Sequence, residues 1–276
     1  MIDVDAAVRR IRLERSARGR LLLALDFDGT LAPIVPGPEQ ATILPAAGDA
    51  LRALADRADT VVAIVSGRGL EDVRARVREV RAFFAGNHGF EIEGPGVRHR
   101  IEAAERLRPE LRALTERLRA ELEHIEGAEI EDKGITLSVH YRRVDDPELA
   151  EQVRQTTVRE AERSGLRATH GKRVVELRPP VDWHKGRAVE FLIDTLAGDD
   201  DGLYPVFIGD DVTDEDAFRA VQERGGLAVL VADGRHARET LADARVDSPE
   251  RLVPLLEALA LDDGEPALGS AHEAPA

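Results

Sequence analysis

The chain has 276 residues, and its 53 acidic and 38 basic side chains give a formal net charge of −15. Such an acidic surface repels phosphate polyanions and anionic bilayers, and the absence of cysteine excludes disulfides, thiolate metal sites and cysteine nucleophiles. No apolar run approaches the roughly 20 residues of a membrane span or forms a signal-peptide core, which predicts a cytoplasmic protein.

Short apolar runs alternate with helical patterns in the first and last parts of the chain. Unbroken apolar runs predict buried strands at residues 21–25, 60–65, 205–208 and 227–231. Repeats of Leu and Ala at helical spacing predict helices at residues 46–57, 186–197 and 214–224. This alternation predicts a doubly wound α/β domain, whose ligands lie beyond the carboxyl ends of its parallel strands.

The middle of the chain follows a different pattern. A charged helical pattern over 100–122 precedes a polar and apolar alternation over 135–143, which predicts a half-exposed strand. Another helix is predicted over 147–164, and two short strands over 166–170 and 173–177. We therefore expect an α+β insert, with the following division of the chain: N-terminal extension 1–17, α/β core 18–99 and 177–262, insert 100–176, and disordered tail 263–276.

Two acidic motifs follow predicted strands that are far apart in the sequence. Asp26 and Asp28 come directly after the first strand, and Asp210 and Asp211 after the third. Adjacent carboxylates repel each other, so they require a shared cation or proton. An acidic turn that caps a helix is the alternative for both motifs, and residues 213–216 fit such a cap well.

Two further residues suit a phosphoryl group. Ser66 ends the second strand and offers a hydroxyl beside the backbone N–H groups of a Gly-containing turn. Lys185 begins a helix, where the helix dipole disfavours a cation. An ordinary turn and a solvated lysine are the alternatives. The chain contains no other common phosphate-binding or hydrolase motif.

Together, these motifs resemble the haloacid dehalogenase (HAD) superfamily of phosphatases: D-x-D-G-T at 26–30, Ser66, Lys185 and G-D-D-x-x-D at 209–214. The resemblance implies a HAD-like doubly wound core with a smaller α+β cap domain inserted. It also implies a phosphoric monoester hydrolase in which Asp26 is the nucleophile and forms an aspartyl phosphate, while Asp28 acts as general acid and then base.

The same resemblance implies the remaining site residues. Mg²⁺ would be bound at Asp26, Asp28 and Asp210, with Asp211 orienting its waters. Ser66 and Lys185 would hold phosphoryl oxygens, and Asp214 would orient Lys185.

Segments 86–94, 131–142 and 171–179 narrow the resemblance to trehalose-6-phosphate phosphatases, which release trehalose and phosphate. This implies a small-molecule substrate and no nucleic-acid, membrane or obligate protein partner. Charged and amide groups suit sugar hydroxyls, and the candidates are Asn87, His88, Glu131, Lys133, Arg142, Lys172 and Glu176. A structural hydrogen bond is the alternative for His88, and solvated surface pairs are the alternative for the acidic and basic residues.

Two other functions remain open at this point. The enzyme could act on another sugar phosphate, because related sugar phosphatases share the core motifs. Alternatively, the chain could be a catalytically silent sensor that binds a sugar phosphate.

Overall fold

A computed structural model describes residues 1–35, 37–197, 202–233 and 239–261. Its strands are β1 (Arg20–Leu25), β2 (Thr60–Val65), β3 (Ala82–Gly86), β4 (Glu91–Gly94), β5 (Val97–Arg100), β6 (Glu129–Asp132), β7 (Leu137–His140), β8 (Arg167–Gly171), β9 (Val174–Arg178), β10 (Leu203–Gly209), β11 (Leu227–Val231) and β12 (Ala244–Val246). Its α-helices are α1 (Val4–Arg18), α2 (Pro45–Asp56), α3 (Leu70–Arg76), α4 (Glu102–Glu105), α5 (Arg108–Leu122), α6 (Pro147–Arg163), α7 (Lys185–Ala197), α8 (Glu215–Glu223) and α9 (Pro249–Ala260).

Eight strands form the large sheet, in the order β12-β11-β10-β1-β2-β3-β4-β5. The strands from β12 to β3 are parallel, while β4 and β5 continue the sheet in antiparallel pairing. Alternate side chains of β1 enter two cores: Leu21 and Leu23 pack with α1, α2 and α9, whereas Leu22 and Ala24 pack with α7 and α8. Burial on both faces explains why the strand is an unbroken apolar run.

The strand register determines where the site lies. Leu25 at the end of β1 pairs with Ile208 of β10 on one side and with Ile64 of β2 on the other. Parallel strands end at the same edge of a sheet, so the segments that follow β1, β2 and β10 begin side by side.

Four antiparallel strands form the second sheet, in the order β6-β7-β9-β8. Helices α5 and α6 cover one of its faces through an aliphatic core that includes Leu114, Leu118 and Val153. Glu131, Ser138 and Glu176 are direct neighbours across β6, β7 and β9, so their side chains lie in one row.

The predicted insert differs from the structure in two details. The predicted helix over 100–122 is two helices, because Pro109 lies in the first turn of α5 and favours a new helix start. Strand β6 was not predicted, and β7 covers 137–140 rather than 135–143. The insert therefore contains one strand more than predicted, the acidic strand β6, which carries Glu131.

The N-terminal segment packs against the large-sheet unit. Ala7 and Ile11 of α1 are fully buried, and Arg15 Nη1 donates to the Leu259 carbonyl at 2.9 Å. The predicted tail lies outside the described residues. Among the described helices, none has the length and hydropathy to cross a membrane.

Candidate active site

The two acidic motifs meet at the carboxyl edge of the large sheet. Oxygens of Asp26, Asp210 and Asp214 lie within 4.8 Å of one another. The Asp26 N–H donates to the Ile208 carbonyl at 2.9 Å, which continues the pairing of β1 with β10. Gly29 turns the chain with a φ of +79°, and a Cβ at this position would collide with the Asp210 carboxylate.

Lys185 is buried between two of these carboxylates. Its Nζ lies 3.0 Å from Asp26 Oδ1 and 2.7 Å from Asp214 Oδ1. The other Asp214 oxygen accepts from the backbone N–H groups of Asp210 at 3.0 Å and Asp211 at 2.9 Å. Asp214 therefore fixes Lys185 and the turn after β10 at once. The cap predicted at residues 213–216 lies elsewhere: Asp211 and Asp214 form a capping box on the short 3-10 helix Val212–Asp214, and no side chain caps the start of α8.

The acidic cluster carries more negative charge than Lys185 neutralises. Burial raises the pKa of Asp26 to about 7 even though the Lys185 charge lowers it, and the charges of Asp214 and Asp28 raise it further. Burial and the charges of Asp26 and Asp214 raise the pKa of Asp210 to about 9. Burial opposes the charge of Lys185, but the charges of Asp214 and Asp26 outweigh it and raise the lysine pKa.

This donor set fits a hard metal ion. The cluster consists of carboxylate oxygens, which are the ligands of divalent cations such as Mg²⁺. A divalent cation between Asp26 and Asp210 would favour the ionised form of both groups. The buried acidic cluster can therefore bind a metal ion.

Ser66 lies beside the cluster in a turn that is locked to the loop after β3. The Ser66 hydroxyl accepts from the Arg68 N–H at 3.2 Å, and the Ser66 carbonyl accepts from the His88 N–H at 2.8 Å. The Arg68 carbonyl accepts from the Asn87 N–H at 2.7 Å. Asn87 and His88 both have positive φ values, 52° and 58°, in a backbone region that few non-glycine residues adopt, although Asn and His adopt it more often than most.

Arg68 holds Asp28 by both of its carboxylate oxygens. The Arg68 Nε lies 2.7 Å from Asp28 Oδ2, and Nη2 lies 2.7 Å from Asp28 Oδ1. Arg68 was not among the predicted site residues. Its signal in the sequence was its position two residues after Ser66, at the carboxyl end of β2.

A cleft of about 420 Å³ separates this edge of the large sheet from the insert. The predicted site residues that line it are Asp28, His88, Glu131, Lys133, Arg142, Glu176 and Asp211. Lining residues that were not predicted include Arg68, Ser138 and Arg143. Residues of the acidic motifs and of the insert therefore face one cavity.

Lys133 and His88 connect the two sides of the cleft. The Lys133 Nζ donates to the Gly67 carbonyl at 3.2 Å and lies 3.6 Å from Glu176 and 3.8 Å from Glu131. The His88 Nε2 lies 3.3 Å from Glu176 Oε1. Burial opposes ionisation of Glu176, but His88, Lys133 and Arg178 hold the Glu176 pKa well below its usual range. Glu176 is therefore a charged acceptor at the cleft wall.

Two predicted sugar contacts lie outside the cleft lining. Asn87 is fully buried; its Nδ2 donates to Glu91 Oε2 at 2.9 Å and to the Lys133 carbonyl at 3.2 Å, and its Oδ1 accepts from Thr136 at 2.8 Å. Lys172 is exposed in the turn between β8 and β9, where its carbonyl accepts from Arg142 at 3.3 Å. The structure thus gives the Asn87 amide a role in joining the core to the insert.

Comparisons with known proteins identify the family of this chain. Residues 24–250 match the family model for trehalose-phosphatase. Trehalose-phosphate phosphatase B of Arabidopsis thaliana is 36% identical over 88% of this chain and 67% of its own length. An uncharacterized glycosyl hydrolase of Mycobacterium tuberculosis is 40% identical over 94% of this chain but only 20% of its own length. The chain thus spans about a fifth of that relative.

Solved structures share the fold. The C-terminal domain of Candida albicans trehalose-6-phosphate phosphatase has a TM-score of 0.74 at 23% identity, covering 92% of this chain and 96% of that domain. A Bacteroides thetaiotaomicron phosphatase of the HAD superfamily has a TM-score of 0.53 at 18% identity, covering 89% and 96%. The predicted HAD-like fold is confirmed, and the chain belongs to the trehalose-phosphatase family.

Proposed function

We propose that this chain is a Mg²⁺-dependent phosphatase that hydrolyses trehalose 6-phosphate to trehalose and phosphate. One observation carries the proposal: Asp26 is buried against Lys185 and two further carboxylates, while Asp28, two residues on, lines a cleft to which the insert contributes charged and hydroxyl groups. Relatives named trehalose-phosphate phosphatase support this choice of substrate.

The first step forms an aspartyl phosphate. An Asp26 carboxylate oxygen attacks phosphorus, and the bond between phosphorus and the sugar oxygen breaks. The Asp28 carboxyl gives its proton to the departing sugar oxygen, so trehalose leaves as a neutral alcohol. Lys185 and Ser66 hold the other phosphoryl oxygens, and Lys185 balances their charge.

The second step releases phosphate. The Asp28 carboxylate takes a proton from a water molecule as the water oxygen attacks phosphorus, and the bond from phosphorus to Asp26 breaks. Asp26 and Asp210, with the Asp28 backbone carbonyl, would hold Mg²⁺, and Asp211 would orient its waters. Bound Mg²⁺ would offset the repulsion among the carboxylates and the charge on the phosphoryl oxygens.

We assign substrate choice to the insert, residues 100–176, as a cap domain on the core formed by 18–99 and 177–262. The row of Glu131, Ser138 and Glu176, with Lys133 beside it, presents charged and hydroxyl groups to the cleft. Such groups can donate to and accept from pyranose hydroxyls at once. His88 and Arg142 complete the proposed sugar contacts.

The test measures phosphate release from trehalose 6-phosphate with Mg²⁺ and with a chelator. Asp26→Asn should lower turnover by a factor on the order of 10⁴ or more, because the nucleophile is lost. Asp49→Asn is the matched control, since Asp49 is exposed on α2, with 68% of its side chain accessible. Substantial phosphate release by the Asp26→Asn variant would refute the nucleophile assignment.

Two further measurements separate the alternatives. With p-nitrophenyl phosphate, whose leaving group needs no proton, Asp28→Asn should slow only the second step, so a brief reaction followed by acid quench should leave a phosphate adduct on the peptide that contains Asp26. Tight binding of trehalose 6-phosphate without release of phosphate by the wild-type protein would instead support the silent sensor.

A further inference from the structure

The guanidinium of Arg68 is fixed more firmly than the carboxylate it holds. Only 7% of the Arg68 side chain is exposed, compared with 44% of the Asp28 side chain. Arg68 Nη1 also donates to Asp72 Oδ2 at 2.8 Å, and its guanidinium carbon lies 5.3 Å from the centre of the Phe27 ring. Apart from Asp28, the buried arginine is therefore held by Asp72 and Phe27, whereas Asp28 lines the open cleft.

The bidentate ion pair with Arg68 restricts the orientation of the Asp28 carboxylate. Nε and Nη2 of Arg68 bind one carboxylate oxygen each, which fixes the plane of the group as well as its position. Without this partner, an exposed Asp side chain can adopt its other staggered rotamers. Lysine cannot reproduce the geometry, because its ammonium is a single point charge.

We propose that Arg68 is a positioning residue for acid–base catalysis: it holds Asp28 at the edge of the phosphoryl site, within reach of the departing sugar oxygen. The inference rests on the proposed phosphatase function. Asp28 gives its proton to the sugar oxygen as the phosphorus–oxygen bond breaks, and Arg68 acts only through Asp28.

Comparing substrates with different leaving groups distinguishes a positioning role of Arg68 from a purely structural one. A sugar alkoxide is a poor leaving group and needs the Asp28 proton, whereas p-nitrophenolate leaves without one. The ratio kcat/KM covers the steps up to the departure of the leaving group. A misplaced Asp28 should therefore lower kcat/KM for the sugar phosphate far more than for p-nitrophenyl phosphate.

The experiment compares Arg68→Met, Arg68→Lys and wild type on trehalose 6-phosphate and p-nitrophenyl phosphate with Mg²⁺. We expect Arg68→Met to lower kcat/KM about 10²-fold on the sugar phosphate and several-fold at most on the aryl ester. Arg68→Lys, which keeps the charge beside Asp72, should show an intermediate loss with the same preference. Arg74→Met is the matched control, because Arg74 lies on α3, which follows Arg68, pairs with Glu93 and is not among the cleft-lining residues.

A double variant tests whether Arg68 acts through Asp28. In the Asp28→Asn background, Arg68→Met should cause little further loss on the sugar phosphate, because the group it positions is gone. Equal losses on both esters, or the same added loss in the Asp28→Asn background, would overturn the inference. Absence of phosphate release by wild type from either ester would instead refute the proposed function on which the inference rests.

Discussion

The crowding of carboxylates at the end of β1 predicts that stability depends on pH and on Mg²⁺ together. The pKa of Asp26 rises to about 7 in the folded protein, above its ordinary value of 3.8, so the folded state binds a proton more tightly than the unfolded state. The bound proton makes its full contribution to the free energy of unfolding below about pH 4, and this contribution is lost as the pH rises to about 7. Asp210 extends this loss towards pH 9.

The size of this change in stability follows from the shift in the Asp26 pKa. Raising the Asp26 pKa from 3.8 to about 7 corresponds to about 4 kcal/mol of unfolding free energy, since one pKa unit is worth about 1.4 kcal/mol. Bound Mg²⁺ favours the ionised carboxylates, so its affinity should increase with pH. The stabilisation by Mg²⁺ should therefore be small near pH 5 and large near pH 8.5.

Urea unfolding at pH 5, 7 and 8.5, with chelator and with Mg²⁺, measures how stability depends on pH and on Mg²⁺. In chelator at pH 8.5, Asp26→Asn should be more stable than wild type by up to about 4 kcal/mol; the difference should fall to about 1–2 kcal/mol at pH 5 and vanish below about pH 4. Asp49→Asn serves as the exposed control. Parallel pH profiles of wild type and Asp26→Asn, or equal stabilisation by Mg²⁺ at pH 5 and 8.5, would refute the reasoning.

Four other substitutions test the site. Glu131→Ala or Lys133→Ala should lower kcat/KM at least about 10-fold more for trehalose 6-phosphate than for p-nitrophenyl phosphate; equal losses would remove the insert from substrate choice. Gly29→Ala places a Cβ against Asp210 and should abolish phosphate release with little change in the circular dichroism spectrum; retained turnover would contradict this. Asn87→Ala leaves buried partners unsatisfied and should lower the unfolding free energy by about 1–3 kcal/mol in urea, so an unchanged midpoint would argue against the bridging role.

The large sheet and the acidic cluster could be predicted because their signals are local. An apolar run followed by Asp indicates a buried strand and the residue at its carboxyl end. Neighbouring parallel strands then bring such ends together, as Leu25 and Ile208 do here. That β10 lies beside β1, and so brings Asp210 to Asp26, does not follow from these runs; the resemblance to the HAD phosphatases implied it.

The contacts between the core and the insert could not be predicted in the same way. Arg68 meets Asp28 across 40 residues of sequence, and an arginine after a Ser-Gly turn gives no sign of which carboxylate it will face. Asn87 bonds to Glu91, Lys133 and Thr136 from a loop in which two successive residues have positive φ values; Asn and His adopt such values more often than most residues but do not require them. Strand β6 has only four residues, three of them acidic, and so lacks an apolar pattern.

The most direct test of the proposed function compares kcat/KM across a panel of phosphate esters with Mg²⁺ present: trehalose 6-phosphate, glucose 6-phosphate, another disaccharide phosphate and p-nitrophenyl phosphate. A polar cleft that pairs with sugar hydroxyls predicts that trehalose 6-phosphate exceeds every other ester by about 10²-fold or more. A similar or higher value for another ester would contradict the assignment of trehalose 6-phosphate as the substrate.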